Sequence, residues 1–496
     1  MRTTMNYPWR PSRHDHTRPW GVMGVVALAL TALVIGGLIG LRTEMSIYLM
    51  GLFGVVGYAL LCAYRPFVAF QIVVFSALTV LLSGLKPVGG ISVMIGLGLI
   101  FTVFWVARFF LRTTLFTITR EYFLLLALVA VMLITSLLHV GGPAGFSAAF
   151  TYVQLFLFFV LVVNLTMTPL RLHALTGVII FSSTLLATLI LLDHLGWLPP
   201  GLIPEQTMGL AEGSNIMVSR TAGLWGDANF TALQLTIALP FIMGWWPEAG
   251  RIRQVLLLVA SGAILVAFTW TFSIGGLLGL SVMLLIKMIN AQRRDRLFAI
   301  TRNVLLGIIA LSSFSLIAPN IYIERVTVKL QLIINALTTL DQASLLTVGT
   351  NRGDTWWAAI QAIAASPLFG YGPGNAVYAN ATYSVLRIQA WLSPHNMFLA
   401  VAGDLGLIGL ALFVALFISA LKSVRPPSDA LASNLQRDRQ AIFIALCGFA
   451  AQGMALEIHN LKLLWILMGM AIAYRQMSVH LPHHPHLMMN YNRGTQ

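Results

Sequence analysis

In the stretch Ser393–Leu410, SPHNMFLAVAGDLGLIGL, His395 stands at the mouth of a long apolar run and Asp404 lies inside it. Lipid penalises both ionisable groups, so each calls for a partner, a watery cavity or a chemical task. An imidazole can take a proton near neutral pH, and a carboxylate can do the same where its surroundings suit. The segment LEIHN, Leu456–Asn460, adds Glu457 and His459 between two further apolar runs. Upstream, SRTAGLWGDANF carries Arg220, Asp227 and Asn229, and NRGDTWW carries Arg352 and Asp354. Planar guanidinium groups suit bidentate contact with phosphate oxygens. These residues therefore fit a reaction in which an anionic group leaves and a hydroxyl gives up its proton. Two blander readings stand beside this one. The arginines could be tied in salt bridges to Asp227, Asp354 or Glu324, and His395 could be a local cap.

No residue spacing suggests a metal. The stretches expected outside the membrane hold no D-x-D or E-x-D pair, and the chain has no HExxH and no paired CxxC, so the expectation is a metal-independent site with no cofactor. FGYGPGN is Gly-rich but lacks the lysine and the strand–loop–helix setting of a nucleotide-binding loop, and reads as a tight turn beside the site. Cys62 and Cys447 both fall in apolar runs and read as packing residues.

The elements that position these residues must be membrane helices. Of 496 residues 58% are hydrophobic and 9% charged, with mean hydropathy +0.84. Soluble domains carry roughly 25% charged residues. The net charge of +14 is explained by orientation and contact with anionic lipid, without nucleic acid. Hydropathy predicts an all-α, polytopic bundle of about 12–14 spans, each roughly 17–25 residues long. Gln254–Ile286 is 33 residues without a charge. As one helix it would reach about 50 Å, too long for a core of about 30 Å, so a turn is expected at Phe272–Gly276, FSIGG. With that split, 22 of the 30 Lys and Arg fall on the side of the two tails. The positive-inside rule makes that side cytoplasmic.

The predicted organisation is a cytoplasmic tail (1–19) without a secretory leader, a transmembrane bundle (20–320), a large outer loop (321–394), further spans (395–475) and a cytoplasmic tail (476–496). Within the loop, VTVKLQLIINAL has an amphipathic pattern, and a helix is expected over Thr355–Ala365 before a break at SPLFGYGPGN. Ser393 reads as an N-cap and Pro394 as a first-turn residue, which puts His395 in the first turn of the next span.

SRTAGLWGDANF before a mid-chain span, then NRGDTWWAAIQAIAASPLFGYGPGN, then PHNMFLAVAGDLGLIGL, together resemble the O-antigen ligase and O-antigen polymerase superfamily. The resemblance is specific over Ser219–Asn229 and Asn351–Leu410 within a ligase-like region of about 195–410, and rests on hydropathy elsewhere. It implies a GT-C-type glycosyltransferase of the bacterial inner membrane with a large periplasmic loop. Such an enzyme moves a glycan from an undecaprenyl diphosphate carrier to an acceptor hydroxyl on a glycan or lipid A core. It further implies that Arg220 and Arg352 bind the diphosphate and that His395 is the essential loop histidine. Asp227, Asn229, Asp354, Asn396, Asp404, Glu457 and His459 are the polar residues expected around the substrates. Asp404 stands where relatives often have Glu. At FSIGG relatives often read Ser-Arg-Gly, and Ile274 here replaces that arginine. Ligation, polymerisation and protein O-glycosylation all remain open. So does a transporter or flippase of lipid-linked sugars, although that would spread polar residues through the midplane. Motifs of the peptidoglycan polymerases of the shape, elongation, division and sporulation group are not found.

Overall fold

A computed structural model describes residues 43–80, 92–111, 116–139, 142, 144–209, 217–290, 342–386, 391–425 and 433–480, with isolated positions between 327 and 338. The N-terminal tail, residues 481–496 of the C-terminal tail, residues 20–42 and 291–320 of the expected bundle, most of VTVKLQLIINAL, and Glu324 lie outside the described residues, whereas 476–480 continue the last helix. The chain divides into two compact units, Met1–Val74 with Ser83–Leu115, and Phe75–Leu82 with Phe116–Gln496.

The fold is all-α, with a single short hairpin among the described residues. In the first unit, α1 (Thr43–Tyr64), the start of α2 (Pro66–Thr79) and α3 (Val93–Phe110) pack together. The Tyr58 hydroxyl donates to the Ala69 carbonyl at 3.2 Å, and Phe70 and Phe101 meet with ring centroids 5.5 Å apart. Ser92 caps α3 by accepting from the Ile95 N–H.

The second unit holds α4 (Glu121–Leu138), α5 (Gly145–Leu165), α6 (Pro169–His194), β1 (Glu205–Gly209), β2 (Met217–Thr221), α7 (Ala228–Trp245), α8 (Arg251–Thr269) and α9 (Ile274–Ile289). It continues with α10 (Gln342–Ala365), α11 (Ala376–Tyr383), α12 (Met397–Ser423), α13 (Ser433–Gly453) and α14 (Lys462–His480). Among the described residues, seven helices are long and apolar enough to cross a membrane, which makes this a multi-pass membrane protein.

Helix α7 is the most enclosed of those seven, 78% buried along its apolar window, with α6, α8, α9 and α13 packed around it. Helix α14 packs on α5, α12 and α13, and its Trp465 is wedged between Phe156 and Phe413. Outward-facing Ile252, Val255, Leu256, Leu258 and Val259 on α8 stay exposed, as a lipid-facing surface requires.

The expected turn inside Gln254–Ile286 is present. Helix α8 ends at Thr269, Ser273 caps α9, and Phe272 sits at φ 49° between them. At the basic end of the bundle, the buried Glu121 carboxylate accepts from Arg475 (2.6 and 2.8 Å) and from Ser419 (2.6 Å). There too His173 Nδ1 lies 2.9 Å from Asp438, with its ring stacked on Trp245. These pairings tie the helix ends at the side opposite the candidate site.

Candidate functional site

The strap that carries His395 differs from its expected form. Helix α12 begins at Met397, and its N-cap is Asn396, whose Oδ1 accepts from Phe398 N–H (3.0 Å) and Leu399 N–H (3.2 Å). Asn396 can take the extended N-cap backbone (φ −148°) and has the reach for both amides, which a serine three residues earlier lacks. His395 therefore precedes the cap instead of lying in the first turn. It is exposed and left-handed at φ 46°. Ser393 does not cap the helix. Its hydroxyl donates to Glu457 and accepts from the His395 N–H at 3.2 Å.

Although His395 as a whole is exposed, nearby protein partly desolvates its imidazole and lowers its pKa from the ordinary value, and the Arg352 guanidinium pushes the same way. Glu457 and Asp227 act in the opposite direction. The neutral ring is favoured. The same pairwise effects put Arg352 from α10, Glu457 from the α13–α14 turn and Asp227 from the start of α7 within electrostatic range of His395.

Arg220 lies on β2, opposite Gln206 in the antiparallel register Gln206↔Arg220. It is buried, at 5% exposure, with Nε donating to the Thr271 carbonyl at 2.9 Å and Nη2 to Asn229 Oδ1 at 3.1 Å. Ser273 also donates to Asn229 Oδ1, at 2.9 Å. The guanidinium plane is thus braced between the start of α7 and the α8–α9 turn. Asp227 is the N-cap of α7, with Oδ1 accepting from Asn229 and Phe230 N–H. Gln206 closes the group, accepting from the Ala228 N–H at 3.2 Å and donating to the Gly226 carbonyl at 3.1 Å.

Two predicted residues are used to hold loops. Asp354, fully buried, accepts from Ser384 (2.6 Å) and from the Val385 N–H (2.8 Å), which fixes the chain after α11. Asp404 accepts from the N–H groups of Gly374 (2.9 Å) and Ala376 (3.2 Å). The FGYGPGN turn docks here on a break in α12. Tyr371 and Gly372 N–H bond the carbonyls of Gly403 and Asp404, and Leu407 N–H bonds Pro367. Gly406 makes the break at φ 69°, where an added Cβ would lie 2.1 Å from the Leu368 carbonyl oxygen. Helix α10 stops at Ala365 as expected, but it begins at Gln342, thirteen residues before the predicted start at Thr355.

His459 is buried at 2% exposure, its ring stacked on Tyr152 with centroids 5.8 Å apart. Burial holds its pKa low, with Glu457 opposing. It backs the site without reaching the surface.

The structure thus brings Arg352, Asp227 and Glu457 to an exposed His395, with Arg220 and Asn229 braced beside Asp227 and Asn396 setting the helix start. It assigns Asp354 and Asp404 to loop anchoring. Sequence reasoning missed Thr271, Ser273 and Gln206, whose partners are distant in sequence, and misread Ser393. Its place within the FSIGG turn was the only available signal for Ser273. Among the described residues, no group of three or more His, Cys, Asp or Glu side chains is arranged to hold a metal ion.

The O-antigen ligase family model matches residues 256–414, from α8 through the first two-thirds of α12. A search of curated proteins finds no match for the chain.

Proposed function

We propose that this chain, whose residues 256–414 match the O-antigen ligase family, transfers a glycan from a polyprenyl diphosphate carrier, of the undecaprenyl type, to an acceptor hydroxyl at the outer face of the inner membrane. The observation that carries the proposal is the exposed, left-handed His395, tied through the Ser393 hydroxyl to the Glu457 carboxylate and within electrostatic range of Arg352 and Asp227.

The acceptor hydroxyl oxygen attacks the anomeric carbon of the donor sugar, and the bond from that carbon to the diphosphate oxygen breaks. The hydroxyl proton passes to the neutral imidazole of His395. The electron pair leaves with the polyprenyl diphosphate, whose added charge faces Arg352 and Arg220. Arg220 contributes a fixed plane, because Thr271 and Asn229 prevent its reorientation during the reaction. The two arginines supply the charge that a divalent metal would otherwise supply, so the proposed chemistry is metal-independent. The acceptor is a glycan or lipid A core.

Purified enzyme in proteoliposomes, given polyprenyl-diphosphate-linked glycan and acceptor, should release one polyprenyl diphosphate per glycan transferred. It should continue in excess EDTA. Movement of the intact donor across the bilayer without cleavage would instead support a lipid-linked sugar transporter, and activity that only Mg²⁺ restores would end the metal-free mechanism.

A further inference from the structure

His395 holds a backbone conformation that residues with a Cβ rarely adopt, and such conformations persist where neighbours fix them. Before it, Leu392 N–H donates to the Val377 carbonyl at 2.8 Å, and the Ser393 hydroxyl joins the His395 N–H to the Glu457 carboxylate. After it, Asn396 donates through Nδ2 to the Met454 carbonyl at 3.3 Å. Glu457 and Met454 belong to one turn, between α13 and α14. That turn is itself held, because Trp465 Nε1 donates to the His459 carbonyl at 2.9 Å and the His459 ring is buried against Tyr152. It lies beyond residue 414, where the family match ends.

We propose that the α13–α14 turn is the clamp that sets His395, with Glu457 acting through Ser393 as a positioning residue for glycan transfer. This rests on the reading of His395 as the base. The Glu457 carboxylate does two things at once: it holds the Ser393 hydroxyl, which in turn holds the His395 amide, and it places a negative charge near the ring. The charged groups facing His395 among the described residues are Arg352 from α10, Asp227 from the start of α7 and Glu457 from this turn. Removing Glu457 leaves Arg352 opposed by Asp227 alone, so imidazolium loses the stronger of the two carboxylates that favour it.

The clamp is tested by comparing turnover, donor KM and the pH profile of Ser393→Ala, Glu457→Ala and Glu457→Gln enzymes, each confirmed folded in detergent. A misplaced base should lower kcat by about ten- to a hundredfold in both Ala variants, with little change in donor KM. Glu457→Gln keeps an acceptor for Ser393 and should retain most of the plateau rate. Its acid limb should move to lower pH, because the charge that raised the pKa of His395 is gone. In a His395→Ala background, Glu457→Ala should cost nothing more, which measures the coupling between the two positions directly. Unchanged kcat in the Ala variants, or an equal further loss in the His395→Ala background, would overturn the clamp. A Gln variant as inactive as Ala, with its acid limb abolished, would make Glu457 the proton acceptor and overturn it too. Should an Ala variant fail to fold, the Gln profile decides alone. A fully active His395→Gln enzyme would remove the base assignment, and the 395–457 cycle reports on the clamp separately from that result.

Discussion

At the scale of single residues, the candidate site separates groups proposed to meet the substrates from groups that hold backbone. The sequence showed which residue types were present, and the two roles look alike at that level. Asp354 and Asp404 each satisfy backbone or hydroxyl donors of a neighbouring loop, contacts made across about thirty residues that no local pattern reveals. His395, Arg220 and Arg352 stood out as candidates because ionisable groups beside apolar spans are costly and few, and the family resemblance supplied their expected roles. For the arginines, replacement by lysine keeps the charge but loses the planar fork. Arg220→Lys should also lose the brace to Thr271 and Asn229. Each should cost about ten- to a hundredfold in turnover, the worth of a charge-assisted hydrogen bond of about 1.5–3 kcal/mol. Normal rates in both would show that they only tie the fold together. A second expectation concerns pH. A base whose pKa is depressed stays neutral to lower pH, so the acid limb of kcat should lie below the ordinary histidine value of 6.5. Arg352 disfavours imidazolium, so Arg352→Gln should move that limb upward. A profile that does not move would remove Arg352 from the surroundings of the base.

At the scale of elements, charge counting and length placed the α8–α9 turn correctly, because a helix of 33 apolar residues does not fit the bilayer core. The end of α10 at Ala365 was equally legible from Ser366-Pro367 and the glycines beyond it. The start of α12 was not. Ser-Pro and Asn both signal a cap, and the choice falls to Asn396 only because Ser393 is engaged by Glu457, 64 residues away. The β1–β2 hairpin escaped for a similar reason: EQTMG and MVSRT are short and have little alternation, and the hairpin is closed by Gln206 and Arg220 reaching the start of α7 and the α8–α9 turn. Helix α12 also breaks at Gly406 inside an otherwise apolar run, where the FGYGPGN turn docks. Gly406→Ala should destabilise the protein by at least about 1–3 kcal/mol, the cost of an unfavourable backbone region, with the Leu368 clash added. A lowered thermal midpoint in detergent checks this, and an unchanged midpoint would mean that the loop and helix part without cost.

At the scale of the whole molecule, the account places one polar site at one end of an apolar bundle, with ion pairs such as Glu121–Arg475 closing the other end. The excess of Lys and Arg at that second end supports the proposal that it faces the cytoplasm. Cysteine introduced at position 344 should then react with an impermeant reagent in intact spheroplasts, and cysteine at position 428 should not, in a background lacking Cys62 and Cys447. Labelling at 428 alone would invert the molecule and put the proposed donor on the wrong side. The central claim, however, is that His395 takes the acceptor proton while the arginines hold the donor. Glutamine keeps the hydrogen-bonding reach of histidine but is not a base at neutral pH. The most direct measurement is therefore glycan transfer by purified His395→Gln enzyme in proteoliposomes, alongside its affinity for the polyprenyl-diphosphate-linked donor. Donor binding should be near normal with little or no transfer; wild-type turnover by that variant would rule out His395 as the base.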